Sequence, residues 1–324
     1  MCCILVFLAF VAVNLNGRFR LSVNTDGISR LCLGTAQLGL DYGVANASGR
    51  PDTMACDKVL ERAIERGVLY WDTARAYGNA EERIGRFLGQ HPRRDDVRLI
   101  SKLPAPEQPV SVAGLSDWVA GQIDASRKDL RCDQLDTWML HDAAMISRYG
   151  DAIWDAMLTQ VERGATRSIG VSVYDVSDLS FSDPSSNQLT IQLPFNLFDR
   201  RFRDSGFVNA TPHRSPRVFA RSALLQGALT MSPDQLPASI APLREPLQRL
   251  HRLLSDFGCS VLDVALPYVM SHSFVNFAVV GVDNLKQLED NLEYATRRLD
   301  PELIETLDHS FQNLPAEIID PRKW

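Results

Sequence analysis

Cysteine is scarce: Cys2, Cys3, Cys32, Cys56, Cys132 and Cys259 are all that 324 residues contain. That is too sparse for a disulfide scaffold, and no C-x-x-C pairs give zinc spacing, so reduced thiols and no metal are expected. Basic charge is also short. Lys and Arg number 34 against 40 Asp and Glu, a net charge of −6, which offers phosphate backbones no whole-surface attraction and makes nucleic acid a poor partner. No run reaches the roughly 18–20 apolar residues of a bilayer span. Residues 1–13 are apolar, yet the basic n-region and small-x-small site of a secretory signal are missing. Residues 1–16 therefore read as a signal, an anchor or an over-long start, and the rest as a cytoplasmic protein. Linkers, low-complexity tracts and charge runs are absent too, so nothing cuts the chain in two. No G-x-G-x-x-G follows the first apolar run, which argues against a doubly wound dinucleotide fold.

Short runs rich in Val, Ile and Leu alternate with longer amphipathic stretches, the signature of repeated βα units. Eight candidate strands begin near Leu31 (LCLGT), Leu69 (LYWDT), Val97 (VRLISKL), Leu135 (LDTWML), Arg167 (RSIGVSV), Leu189 (LTIQLPF), Arg217 (RVFARSA) and Phe277 (FAVVGV). Thr53 can cap a helix reaching Arg66, with Val59, Leu60, Ala63 and Ile64 on its apolar face and Gly67 as its stop. Segments 80–88, 149–163 and 284–298 carry the same pattern. The count closes an α/β fold, a (β/α)8 TIM barrel, with its repeat over residues 31–298. Segments 243–257 and 260–271 predict an added helix between strands seven and eight. Asp26-Gly27 predicts an N-terminal β-hairpin of 19–23 with 28–33, able to plug the barrel bottom. The barrel unit is taken as residues 17–314, followed by an irregular tail, 315–324.

In such a barrel the C-terminal strand ends carry function. Strand two ends in Asp72, with Tyr77 five residues on; strand three delivers Lys102 and strand four His141. A carboxylate, a phenol, an ammonium and an imidazole on one rim are a set for moving a proton. Each alone reads equally well as an ordinary rim residue: Asp72 as a cap, Lys102 solvated, His141 hydrogen-bonded. Their convergence is what points to chemistry. A phenol that titrates near ~10 is a sluggish acid, and an adjacent ammonium makes proton donation easier. Asp72 would hold Lys102 charged, while His141 would orient a carbonyl oxygen or shuttle its proton.

The string Asp72-Thr73-Ala74-Arg75-Ala76-Tyr77-Gly78, continued by residues 81–85, resembles the Asp-Thr-Ala-x-x-Tyr-Gly signature of the aldo-keto reductase superfamily. Lys102 in Ile100-Ser101-Lys102 and His141 in Leu140-His141-Asp142 fall where that family's Lys and His lie. The resemblance implies a barrel that binds NADP(H) or NAD(H) without a Rossmann fold. It further implies hydride transfer from the reduced nicotinamide to an aldehyde or ketone carbon, or the reverse oxidation, with Tyr77 as general acid or base. Gly34 and Thr35 match positions near the cofactor, and Ser172 and Gln192 match side chains on the nicotinamide carboxamide. Gly281, Gln287 and Asn291 match the adenosine segment, beside a helix N-terminus suited to phosphate.

The chain also departs from the family pattern. Val173 stands where many relatives have Asn, and Arg221-Ser222 where many present a Tyr to the nicotinamide; a planar guanidinium can stack there instead. Val282, Asp283 and Asn284 replace the basic residues of the adenosine end. Asp283 would repel a 2′-phosphate and suit ribose hydroxyls, with Lys286 the nearest cation. Loops 41–50 and 104–110 and the tail from Phe311 are expected to shape a pocket for a small-molecule carbonyl substrate. Tyr42, Phe195, Phe198 and Phe202 are candidates for its wall or for packing. Two other readings compete: an NAD(P)-binding redox-sensing regulatory protein with little turnover, and a lyase using Lys102 as a Schiff-base nucleophile, which requires a neutral lysine.

Overall fold

Strands buried on both faces need helices on one side and a filled interior on the other. In the computed structural model, which describes residues 22–23, 25–46, 49–179, 189–207 and 216–324, the apolar runs meet that need by closing on themselves. The strands are β1 (Leu31–Gly34), β2 (Tyr70–Asp72), β3 (Arg98–Leu103), β4 (Leu135–Leu140), β5 (Thr166–Ser172), β6 (Thr190–Pro194), β7 (Arg217–Arg221) and β8 (Phe277–Gly281). All are parallel, and β8 returns to β1 with Gly34 opposite Gly281. Among the helices outside them are α1 (Thr53–Glu65), α2 (Ala80–Leu88), α3 (Leu115–Leu130), α4 (Asp151–Glu162), α5 (Arg244–Asp256), α6 (Val261–Ser271), α7 (Leu285–Tyr294) and α8 (Pro301–Ser310). The cap of α1 is Asp52, whose carboxylate accepts from the Ala55 amide at 2.8 Å, one residue earlier than Thr53. Helices α5 and α6 both lie between β7 and β8, which gives the predicted addition. Segment 284–298 ends as a helix at Tyr294, because Arg297–Arg298 leave it to pair with another strand.

That pairing overturns the hairpin. Ser22–Val23 run antiparallel to Arg297–Arg298, and Thr25–Arg30 form a 3-10 helix rather than a turn into a second hairpin arm. The reason is that β1 has no free edge, since β2 and β8 occupy both. The arm is instead tied to the eighth unit. A side chain at Gly27 would strike the Ala295 carbonyl at 1.9 Å, and the Arg30 guanidinium donates to the Met270 carbonyl at 2.9 Å. The apolar residues 1–13 lie outside the described residues. Among those described, no single helix is long and apolar enough to cross a membrane.

Strand alternation sorts the side chains into two sets. Leu33, Trp71, Leu103, Trp138, Leu140 and Leu193 face the helices, each almost wholly buried and worth about 1.5–3 kcal/mol. The opposite set fills the interior, where Cys32, Ile100, Met139, Phe219 and Val279 form a separate apolar cluster. Gly170 makes that cluster possible, since a Cβ there would meet the Thr190 carbonyl at 2.4 Å and the Met139 side chain at 2.8 Å. Against this layer Arg217 pairs with Asp136 at 2.9 Å, and Tyr70 and Phe277 pack on each other and on Phe219 with centroids 4.2–5.9 Å apart. These residues plug the bottom. Two residues further along each strand, the same inward set reaches the top as Gly34, Asp72, Lys102, His141, Ser172, Gln192, Arg221 and Gly281.

Candidate active site

The end of β2 is fixed before any side chain acts. Thr35 donates twice to the Asp72 carbonyl, from its amide and its Oγ1, both at 2.9 Å, and the Thr73 amide donates to Ile100 at 2.8 Å. Gly78, at φ +57°, turns the chain beyond Tyr77, and a Cβ on it would meet the Gly39 carbonyl at 2.4 Å. Gly39 is equally tight, its absent Cβ lying 1.8 Å from the Tyr77 carbonyl. Two facing glycines thus set where Tyr77 stands. Helix α2 is held to β3 by buried Glu81, which accepts from Ser101 Oγ at 2.6 Å and from Arg75 at 3.1 Å.

The structure brings Asp72, Tyr77, Lys102 and His141 together. Lys102 Nζ is wholly buried and donates to Asp72 Oδ1 at 2.7 Å, the Thr73 carbonyl at 2.9 Å and the Tyr77 hydroxyl at 3.3 Å. An ammonium has three protons, so this one is fully engaged. Gln192 Nε2 supplies Asp72 Oδ1 with a further bond at 2.8 Å. His141 packs edge-on to Tyr77, with ring centroids 5.7 Å apart. Burial alone would pull Lys102 down, but the Asp72 carboxylate and then the Tyr77 phenol outweigh it, and its pKa rises. Tyr77 also moves up. Burial raises it, and the opposing pull of Lys102 does not cancel that. The ammonium therefore limits a burial penalty rather than making Tyr77 a stronger acid than an exposed tyrosine. His141 is pushed down to about 3 by burial, then by Lys102 and Arg221, so it is neutral near pH 7.

A cleft of about 300 Å³ runs from Tyr77 and Asp72 past Gln192 and Arg221 to α7. Of the residues the resemblance assigns to the cofactor, Gly34, Thr35, Ser222, Gly281, Asp283, Gln287 and Asn291 line it. Val282 does not: one residue beyond Gly281, alternation turns it into the helix-facing core. Ser172, in register with Gln192, is buried and stays off the wall. Gln287 is turned onto its own loop, accepting from the Asp283 amide at 2.7 Å and donating to Asp283 Oδ2 at 3.2 Å. Lys286 is exposed and is not on the wall itself, but it pairs at 2.6 Å with Asp290, which is. Of the aromatic candidates, Tyr42 lines the cleft, and burial raises its phenol to about 12. Phe195, Phe198 and Phe202 are core residues; Phe195 packs on Tyr268, His272 and Phe274 under the helices, and Phe198 on Phe311. Residues 41–46 reach the cleft, whereas 104–110 and the tail do not line it.

The sequence reading missed Gln37, Gln226, Asp290 and Tyr294 on the cleft wall. Gln37 lies over Gly281, its Oε1 2.3 Å from where a Cβ would sit. The missing side chain at position 281 was the available signal. Gln226, at φ 55°, belongs to a turn that meets residues 43–45 across the cleft, a tertiary contact no local pattern carries.

A profile of the Aldo/keto reductase family matches residues 30–311. The chain belongs to the aldo/keto reductase family. Aldo-keto reductase YhdN of Bacillus subtilis is 23% identical over 322 residues, covering 93% of this chain and 96% of its own. Uncharacterized oxidoreductase YrpG of Bacillus subtilis is 26% identical over 325 residues, with 92% and 96% covered. Aldo-keto reductase yakc [NADP(+)] of Schizosaccharomyces pombe is 21% identical over 324 residues, with 93% of each chain covered. Among solved structures, the crystal structure of PA4992 from Pseudomonas aeruginosa superposes with a TM-score of 0.59 at 21% identity, covering 86% of this chain and 90% of that one. That likeness concerns the barrel. As an aldo/keto reductase the chain belongs to a family of NADP-dependent oxidoreductases.

Proposed function

We propose that the protein interconverts an aldehyde or ketone and its alcohol, using a nicotinamide dinucleotide held in the cleft. The observation that carries this is the Asp72–Lys102–Tyr77 chain opening on that cleft, with neutral His141 against the phenol. The cofactor's part is to give or take a hydride. The cleft suits such a group in several ways. Gly34 on its floor carries no side chain, the Gln37 amide lies over Gly281, α7 presents its N-terminus beside Asp283, and buried Asp283 Oδ1 has no protein partner. Gly34, Thr35, Gln192 and Arg221 would hold it near Tyr77, and Asp283 and Asn291 at the far end; Ser222, Gly281 and Gln287 would shape the wall.

Tyr77 donates its proton to the substrate oxygen as charge develops there, and the buried ammonium of Lys102 stabilises the phenolate left behind. Neutral His141 orients the oxygen by a hydrogen bond. Lys102 is not suited to Schiff-base chemistry, because it is charged and spends all three protons on bonds. Tyr77→Phe is expected to cut turnover by about 10²–10⁴-fold with cofactor affinity retained, and unchanged turnover on an aldehyde panel would remove Tyr77 from the role.

The far end of the cleft favours NAD(H). Asp283 and Asp290 line it, and Arg221, at the opposite end, is the one cation lining the cleft among the described residues. A 2′-phosphate would meet the Asp283 carboxylate, which no cation among the described residues offsets, and Asp290, whose charge already engages Lys286. Asp283→Arg should raise the NADPH to NADH affinity ratio about tenfold; an unmoved ratio in paired titrations would show that the adenosine lies elsewhere.

A further inference from the structure

Resting on that reading of the cleft, we propose that Arg322, three residues from the end of the sequence counting Trp324, is a positioning residue for Arg221. It acts through Tyr174. The guanidinium carbons of Arg221 and Arg322 each lie 4.0 Å from the Tyr174 ring centroid, so one ring is shared by a cleft residue and a tail residue. Arg221 also donates from Nη2 to the Val173 carbonyl at 3.1 Å, which fixes its end of the arrangement on the loop after β5.

Two cations on one ring repel unless carboxylates offset them, and here they do. Arg322 Nε donates to Asp320 Oδ1 at 2.9 Å and Oδ2 at 3.1 Å, and its Nη2 to Asp175 Oδ2 at 3.0 Å. Asp175 Oδ1 takes Arg201 at 2.6 Å, and Arg201 pairs in turn with buried Asp199 at 2.8 Å. Arg201, Arg221 and Arg322 are thus balanced by Asp175, Asp199 and Asp320. The tail that delivers Arg322 is anchored: Ile318 and Ile319 are buried, and Asp320 is 2% exposed. On the other side, the Tyr174 amide is held by Asp178 Oδ2 at 2.8 Å, which leaves the ring torsions as the freedom that Arg322 restricts. The route runs from tail to ring to the only guanidinium on the cleft wall among the described residues.

Calorimetric titration with NADH and with ADP-ribose, which lacks only the nicotinamide ring, tests this on the full chain. Arg322→Ala should weaken NADH about 2- to 5-fold and leave ADP-ribose unchanged, the size of one cation–π contact. Arg322→Lys keeps charge for Asp175 and Asp320 but loses the planar face, so it should show the same selective loss. Arg221→Ala should weaken NADH at least as much, and adding Arg322→Ala to it should cost nothing more. Equal weakening of both ligands, additive losses, or unchanged NADH affinity would each overturn the proposal. Wild-type protein that bound neither NADH nor NADPH would remove the cofactor reading first, and the role of Arg322 with it.

Discussion

The two ends of the barrel are built from nearly the same parts. At the top a lysine, an aspartate and a tyrosine meet as Lys102, Asp72 and Tyr77; at the bottom an arginine, an aspartate and a tyrosine meet as Arg217, Asp136 and Tyr70. What differs is what surrounds them. Tyr70 is packed by Phe219 and Phe277, and the guanidinium of Arg217 is spread over Asp136, Ser168 and Thr190. Tyr77 has an imidazole at its edge and a cleft before it. A buried cation–carboxylate pair beside a phenol is therefore not a sign of chemistry in itself. It becomes one when the phenol can reach a ligand and the cation is a compact ammonium that the phenol can lean on.

Removing each cation in turn tests that difference most strongly. Lys102→Met should lower turnover by about 10²–10⁴-fold, because Tyr77 loses the charge that stabilises its phenolate. Arg217→Met should leave kcat within about twofold on the same substrate, since it touches nothing at the top layer. A kcat loss at Arg217 matching that at Lys102 would erase the distinction. Stability should separate them less. Arg217→Met is expected to cost about 2 kcal/mol by urea unfolding, below the usual loss for a broken buried pair because Arg217 and Asp136 keep side-chain exposures of 19% and 11%. No change in midpoint would mean that the bottom pair only fills space.

The barrel and its strands are legible in sequence because they depend on local pattern, alternation and punctuation by glycine, and one short signature marks Asp72 and Tyr77, which the fold brings beside Lys102 and His141. Local pattern fails where a neighbour in space decides. The hairpin was read from Asp26-Gly27, yet β1 had no edge to offer it. The resemblance puts Val282 in the adenosine segment, but strand alternation, which is legible in sequence, turns it outward toward the helices. For Phe195 and Phe198 the sequence leaves wall and packing both open, and partners from α6 and Phe311 decide for packing. Tyr174 had no local signal at all, since its significance depends on where Arg322 docks. The bottom plug was missed for the same reason: Tyr70, Arg217 and Phe277 open three different strands.

The smallest effect is the one that sets the two ends apart by pH. His141, facing Tyr77, Lys102 and Arg221, has its folded pKa lowered to about 3, against an ordinary value near 6.5. A buried neutral histidine binds a proton more readily in the unfolded chain, so its contribution to stability is present above pH ~6.5 and is lost as pH falls toward 3. About 1.4 kcal/mol should be gone by pH 5.5, and His141→Gln should flatten that part of the stability curve. The bottom residues named above include no histidine, so Arg217→Met should keep the wild-type slope while sitting lower throughout. Turnover should show the same neutrality from the other side: His141 does not titrate between pH 5 and 8, and Tyr77, raised above its ordinary range, stays protonated there. The reduction rate at saturating substrate should therefore be flat over that interval and fall only at higher pH, where Tyr77 deprotonates, while alcohol oxidation, which needs the phenolate, gains. A break near pH 6.5 in the reduction profile, absent from His141→Gln, would show that His141 carries a proton after all and that the top of the barrel is wetter than its packing implies.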